Sequence, residues 1–181
     1  MTPPDTLPGF RYHPDPIASG SVIESDTECR CCERARGFVY SGPVYSEEDV
    51  GDELCPWCIA DGSAHERFDA TFVDSEAFAE DVPDAAFDEI TERTPGFDTW
   101  QSEVWPVCCG DATAFVAPEG AAELRESGLE GAAMSHIVYE LGLSGSAATR
   151  LLDSLNRDTG PTADVFRCLT CGQARLHVDM P

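Results

Sequence analysis

Two cysteine pairs constrain this chain more than any other feature. Cys29 and Cys32 form the first, and Cys55 and Cys58, within Cys55-Pro56-Trp57-Cys58, form the second. A two-residue gap lets both sulfurs of a pair reach one ion from a tight turn, and zinc accepts four such sulfurs tetrahedrally. These four thiols read as one zinc site, with Cys31 able to stand in for a member of the first pair. Four sulfurs leave no position for water, so the expected role is structural. Cys168 and Cys171 make a third pair and Cys108 and Cys109 an adjacent one, from which a second zinc ion is expected. Successive side chains do not easily turn toward one ion. Cys109 is therefore the surer third ligand, and the fourth is left among Cys108, His13 and His177. A water in that position would make the site catalytic in type. Eight ligands from nine cysteines leave one thiol over.

The segments between the pairs suggest the architecture. Gly37-Phe38-Val39-Tyr40, a turn at Ser41-Gly42-Pro43 and then Val44-Tyr45 read as a β-hairpin. Ser63-Ala64-His65-Glu66 has the form of a capping box and should open a helix. A Cys pair, a hairpin, a second pair and a helix make a treble-clef-like zinc module over residues 1–73. Its opening, Leu7 to Pro16, is too rich in proline for a helix and should lie as an extended arm. Residues 74–95 form an acidic connecting segment of irregular or short helical structure. Residues 96–181 then combine helices and strands.

Within that last part, Ala114-Phe115-Val116 reads as a strand, and Pro118 to Ser127 as a short helix ended by Gly128. Ala133, Met134, Ile137, Val138 and Leu141 fall on one face of a second helix. A third opens at Ser144 or Ser146 and spaces Ala147, Leu151 and Leu155 four apart. Finally, Leu176 and Val178 alternate with His177 and Asp179, so two strands flank the turn of Cys168 and Cys171. Gly172 gives that turn the positive φ a tight knuckle needs. The expected class is α+β, an N-terminal zinc module plus a C-terminal α+β half closed by a zinc-knuckle hairpin, the two able to form one compact domain. Trp100 and Trp105 are expected in the core.

Charge narrows the function. The formal net charge is −23, and all 11 basic residues are Arg. Residues 46–92 alone hold −15 of it, from 16 acids and one Arg. Such a surface repels phosphate backbones, which argues against nucleic acid as a partner. The second and third helices flank a glycine turn but offer only Arg150 and Arg157 to phosphates, so an ordinary helical hairpin is expected rather than a DNA reader. Met1 to Asp5 lacks the basic and apolar pattern of a signal peptide, and nothing approaches a membrane span. A cytoplasmic chain uses paired cysteines for metal rather than disulfides. Phosphate-binding Gly loops and nucleophile elbows are absent. The leading expectation is a non-enzymatic zinc protein acting through a protein partner. One alternative is a metal-dependent hydrolase with His13, Asp15 and Asp61 at an open zinc position. Another is thiol redox or zinc handling at Cys55 and Cys58, disfavoured because no βαβ unit precedes them.

Five stretches carry a family resemblance: Leu7 to Pro16, Gly42 to Ser46, Leu54 to Ala64, Arg93 to Phe97 and Phe166 to Gly172. In these the chain resembles the CbrC family of bacterial proteins, with matches from residue 7 to about 179 in family order. The resemblance implies a cytosolic, cysteine-rich protein and a framework of Cys29, Cys32, Cys55, Cys58, Cys109, Cys168 and Cys171. It also makes Tyr12, His13, Asp15, Trp57, Asp61 and Ser63 candidates for a site beyond the metals. It supplies no reaction.

Overall fold

The computed structural model describes residues 6–78 and 82–181. The expectation for Met1 to Asp5 and that for positions 79–81 of the acidic segment lie outside the described residues. The chain mixes helices and strands, in two compact units: one runs through Ala77 and includes Val82–Asp98, the other comprises Phe78 and Thr99–Pro181. Among the described residues, no helix is long and apolar enough to cross a membrane.

In the first unit, strand β1 (Val22–Glu24) pairs antiparallel with β2 (Phe38–Tyr40), Val22 opposite Tyr40 and Glu24 opposite Phe38. The Cys29–Cys32 turn lies in the loop between them. Two short helices follow, α1 (Pro56–Ala60) and α2 (Ser63–Phe68), then α3 (Asp84–Arg93) within the acidic segment. The proline-rich opening forms no helix or strand, but it buries Phe10, Tyr12 and His13. Phe10 joins Val22, Tyr40, Leu54, Ile59, Phe68 and Phe72 in a core that also contains Cys29, Cys55 and Cys58.

The hairpin expected across Ser41-Gly42-Pro43 does not form, because the Tyr40 side chain occupies that turn. Its hydroxyl donates to the Pro43 carbonyl at 2.8 Å, and its ring meets Phe72 edge-on. A Cβ at Gly42 would fall 2.6 Å from the Tyr40 oxygen, so only glycine passes the ring. The chain is steered away, and Tyr45 bridges to Thr71 instead. The capping box is also replaced. Gly62, with φ of +82°, is the N-cap of α2, and the N–H of Glu66 donates to its carbonyl. The Ser63 hydroxyl is instead engaged by Asp61 at 2.6 Å.

In the second unit, two-residue strands β3 (Val107–Cys108) and β4 (Asp111–Ala112) form a tight turn. Then come β5 (Ala114–Glu119), α4 (Ala121–Ser127), α5 (Glu130–Tyr139), α6 (Gly145–Ser154), β6 (Thr162–Arg167) and β7 (Ala174–Asp179). The last two strands and β5 make one antiparallel sheet in the order β5-β6-β7. Leu124, Ala133, Ile137, Leu152, Val165 and Val178 pack the helices against this sheet. Trp105, Phe115 and Phe166 stack edge-on, while Trp100 is 47% exposed rather than core. Pro118, expected in a helix, lies in β5. That strand is at the sheet edge and carries a register shift near Phe115, and such a position tolerates a residue with no N–H.

Candidate metal centres

The first centre is built by one turn and one helix start. Cys29 and Cys32 sit in the β1–β2 loop, closed by the Glu33 N–H donating to the Cys29 carbonyl at 2.7 Å, with Glu33 at φ of +55°. Cys55 is the N-cap of α1 in extended geometry, and Pro56 at the first helical position needs no N–H partner. Cys58 lies one turn further on. The Sγ separations are 3.9 Å for Cys29–Cys58, 3.8 Å for Cys32–Cys55 and 3.6 Å for Cys55–Cys58. A tetrahedron of sulfurs about 2.3 Å from a central ion has edges of about 3.8 Å. The observed spacing fits four ligands of one ion and is well beyond the roughly 2 Å of a disulfide.

All four atoms lie within 4.8 Å of one another. Cys29, Cys55 and Cys58 are buried, and Cys32 is half-buried. The Cys55 N–H donates to the Cys29 sulfur at 3.2 Å. Hydrogen bonds from the Cys55 and Cys58 thiols draw the Cys29 thiol far down. The same sharing with Cys29 pushes Cys55 up to about 12 and Cys58 well above the thiol range. Like charges this close cannot all ionise alone, and a cation is what lets them. Cys31 stands outside the group, its thiol donating to the Ser63 hydroxyl at 3.5 Å.

The second centre joins two turns. Cys108 and Cys109 lie between β3 and β4, and Cys168 and Cys171 between β6 and β7. The adjacent pair converges because Cys109 adopts φ of +57° and Gly110 +75°, which curls both thiols to one side. Cys108 Sγ lies 3.8 Å from Cys109 Sγ and 3.8 Å from Cys171 Sγ. Again the four ligand atoms fall within 4.8 Å. The Cys171 N–H donates to Cys168 Sγ at 3.4 Å, and this bond leads in lowering the Cys168 thiol to about 6. Cys108 is pushed up to about 12, first by its hydrogen bond with Cys168. Arg175, on β7, donates from Nη2 to Cys108 Sγ at 3.2 Å. The sequence flagged no role for this arginine. Its one signal is its position on the strand leaving the Cys168–Cys171 turn.

The two centres differ in access. Cys108 and Cys168 are buried, but Cys109 and Cys171 are exposed. They line an open groove of about 530 Å³ with Val107, Gly110 and Arg175.

The candidates beyond the cysteines go elsewhere. His13 is fully buried, its Nδ1 donating to the Pro95 carbonyl at 2.7 Å and its Nε2 2.7 Å from the Ser19 hydroxyl. Burial lowers its pKa from 6.5 to about 4. His177 meets the His136 ring edge-on at 5.6 Å. Asp15 is exposed and accepts the Ala18 N–H, while Asp61 accepts the N–H and hydroxyl of Ser63. Trp57 donates to the Thr6 carbonyl beneath the Arg36 guanidinium, and Tyr12 is fully buried. Among the described residues, the groups able to hold a metal consist of cysteines alone.

Comparison with known proteins places the chain in a wider group. The chain is 42% identical to UPF0167 protein Mb2317 of Mycobacterium bovis over 179 residues, covering 97% of this chain and 95% of that protein. It is 44% identical to UPF0167 protein PA1536 of Pseudomonas aeruginosa, covering 99% of each. No solved structure matches. The family model described as "Uncharacterised protein family (UPF0167)" matches residues 7–180, and the chain belongs to that family.

Proposed function

We propose that this is a zinc protein, non-enzymatic, in which one closed ion staples each unit and the folded surface serves a protein partner. The observation that carries the reading is the sulfur spacing of 3.6–3.9 Å, which matches the edge of a tetrahedral zinc–thiolate site in both clusters. Cys29, Cys32, Cys55 and Cys58 would hold the first ion, and Cys108, Cys109, Cys168 and Cys171 the second. Bound zinc would supply the positive charge that lets four neighbouring thiolates coexist. All-sulfur ligation favours zinc over harder ions such as magnesium or calcium. It also supports a structural role, since it leaves no position for water. The knuckle, strand and helix order around the first site supports a treble-clef-like description, and the β6–β7 turn a zinc knuckle. The CbrC resemblance and membership of UPF0167 are read as one family.

Nine free thiols suit a reducing cytoplasm. The charge concentrated in residues 46–92 favours a partner with a basic surface, and binding should then weaken as salt rises. The deciding experiment is elemental analysis of protein purified without added metal, followed by X-ray absorption. Two zinc ions per chain, each with four sulfur neighbours, are expected. A nitrogen or oxygen neighbour would reopen the hydrolase reading, and absence of zinc would refute the proposal.

A further inference from the structure

We propose that the second cluster is an oxidant-sensitive modification site, in which a hydroperoxide joins Cys109 to Cys171 as a disulfide and opens that centre while the first stays closed. This rests on the zinc reading above and adds a regulation to one of its two sites. Three observations carry it, beginning with access: Cys109 and Cys171 are exposed at a groove of about 530 Å³, whereas three of the four sulfurs of the first cluster are buried. A small peroxide reaches the former pair without any opening of the fold.

The second observation is how the sulfurs are covered. Arg175 donates to Cys108 Sγ, and the Cys171 N–H donates to Cys168 Sγ. In the zinc-loaded centre all four sulfurs would already be thiolates, and there N–H bonds donated to two of them draw electron density away and leave the exposed pair as the better nucleophiles. Third, the backbone can follow the reaction. Gly110 directly follows Cys109 and Gly172 directly follows Cys171, and a Cβ at either glycine would meet nothing within 4 Å. The two sulfurs lie within 4.8 Å and must close to about 2 Å, a movement these open turns can absorb. Cys108 and Cys109 are adjacent, so a disulfide between them would be strained by comparison.

The chemistry balances. The Cys109 thiolate attacks the peroxide, the O–O bond breaks, and a sulfenic acid forms as one oxygen leaves and takes a proton to become water. The Cys171 thiolate then attacks the Cys109 sulfur, the S–O bond breaks, and the departing hydroxide takes a second proton. Two thiolates lose two electrons in all, and one hydrogen peroxide with two protons becomes two waters. Two of the centre's four sulfurs are then withdrawn. A thiol reductant reverses the step. The Cys55–Cys58 pair, which has the form of a redox motif, is shielded from this chemistry by burial.

The test uses the full chain with its zinc counted beforehand. It is titrated with hydrogen peroxide, zinc release is followed with a colorimetric chelator, and each cysteine is mapped by differential alkylation and mass spectrometry. The expected result is release of one ion, a linked peptide pair containing Cys109 and Cys171, and loss of first-cluster thiols slower by about tenfold or more. Fewer than two ions at the start would overturn this proposal together with the zinc reading. Two ions with both clusters oxidised at equal rates, or with Cys109 and Cys171 still alkylatable after release, would overturn this proposal alone. The mapping is done on the native chain, so it does not depend on a cysteine variant folding.

Discussion

A histidine that serves as a general base titrates near neutrality and can be reached by water. His13 does neither, and that difference can be measured. It is fully buried, and its pKa falls from 6.5 to about 4, chiefly through burial, opposed by the Pro95 carbonyl and by Asp15. Well above pH 6.5 the ring is neutral in both folded and unfolded chains, and no pH dependence arises. Between pH 6.5 and 4 the unfolded chain takes a proton that the folded chain refuses, so stability is lost as pH falls. From pH 7.5 to 5.5 the loss is about 1.3 kcal/mol, nearly the full value of one pKa unit. On the zinc reading acid also protonates the ligand thiolates, so the wild type alone cannot isolate this effect. The variant His13→Asn, whose amide can still donate to Pro95, shares the thiolate contribution and lacks the imidazole. It should be the less stable protein at pH 7.5, and the gap should shrink by about 1.3 kcal/mol at pH 5.5. Urea unfolding with zinc in excess, read from methyl signals of Ile59 in the same unit, measures the gap. The ring resonances of His13 give the pKa directly. A gap independent of pH, or a ring titrating near 6.5, would refute the buried neutral histidine and restore His13 as a catalytic candidate.

Cys55→Ser should lower zinc from two ions per chain to one and loosen the first unit, whereas Cys31→Ser should leave zinc content unchanged; elemental analysis checks both. Asp164 is buried, and burial with Asp179 and Glu103 nearby raises its pKa well above the ordinary carboxylate value. A raised folded-state pKa means stability is lost as pH rises through it, so Asp164→Asn should gain on wild type with rising pH in urea unfolding. A Cβ at Gly120 would sit 2.9 Å from the Asn156 Cα and 3.0 Å from the Leu155 carbonyl, both backbone. Gly120→Ala should therefore cost about 1–3 kcal/mol, seen as a lower Tm, and an unchanged Tm would show that the α6–β6 connection yields freely.

What could be read in the sequence was mostly local. The spacing of Cys29, Cys32, Cys55 and Cys58 announces a shared cluster because each pair needs only its own turn. The apolar spacing around Ile137 and Leu152 announces α5 and α6, and the alternation of Leu176 with Val178 announces β7. What was illegible depends on contacts distant in sequence. The partner of β2 is decided by Tyr40 filling its own turn, and composition favoured the wrong side of that turn. The convergence of Cys108 and Cys109 requires a left-handed backbone at a non-glycine residue, which nothing in the local sequence demands and which costs on the order of 1 kcal/mol. The burial of Glu103, Asp164 and Asp179 was equally hidden, since strand periodicity alone put Asp179 on the polar face.

The difference in exposure between the two centres agrees with what each unit has besides its proposed ion. An ion in the first site would cross-link positions 23 apart at Cys32 and Cys55, and one in the second positions 63 apart at Cys108 and Cys171. The longer loop adds only about 0.9 kcal/mol of closure entropy, because that entropy grows with the logarithm of length. Surrounding structure therefore decides which ion matters more to folding. Among the described residues, the sheet of the first unit pairs two three-residue strands, and three of that unit's thiols are part of the hydrophobic core itself. Without an ion there, four crowded thiols would share protons only with one another at the centre of the packing. The second unit has a sheet with three six-residue strands and a helix-and-sheet cluster that contains none of its ligands, although Cys108 and Cys168 are themselves buried. Its cluster closes turns at the edge of that framework. On the proposed reading, the centre with two solvent-exposed thiols is thus the one whose opening the fold should survive, which a reversible chemical event at a metal site requires.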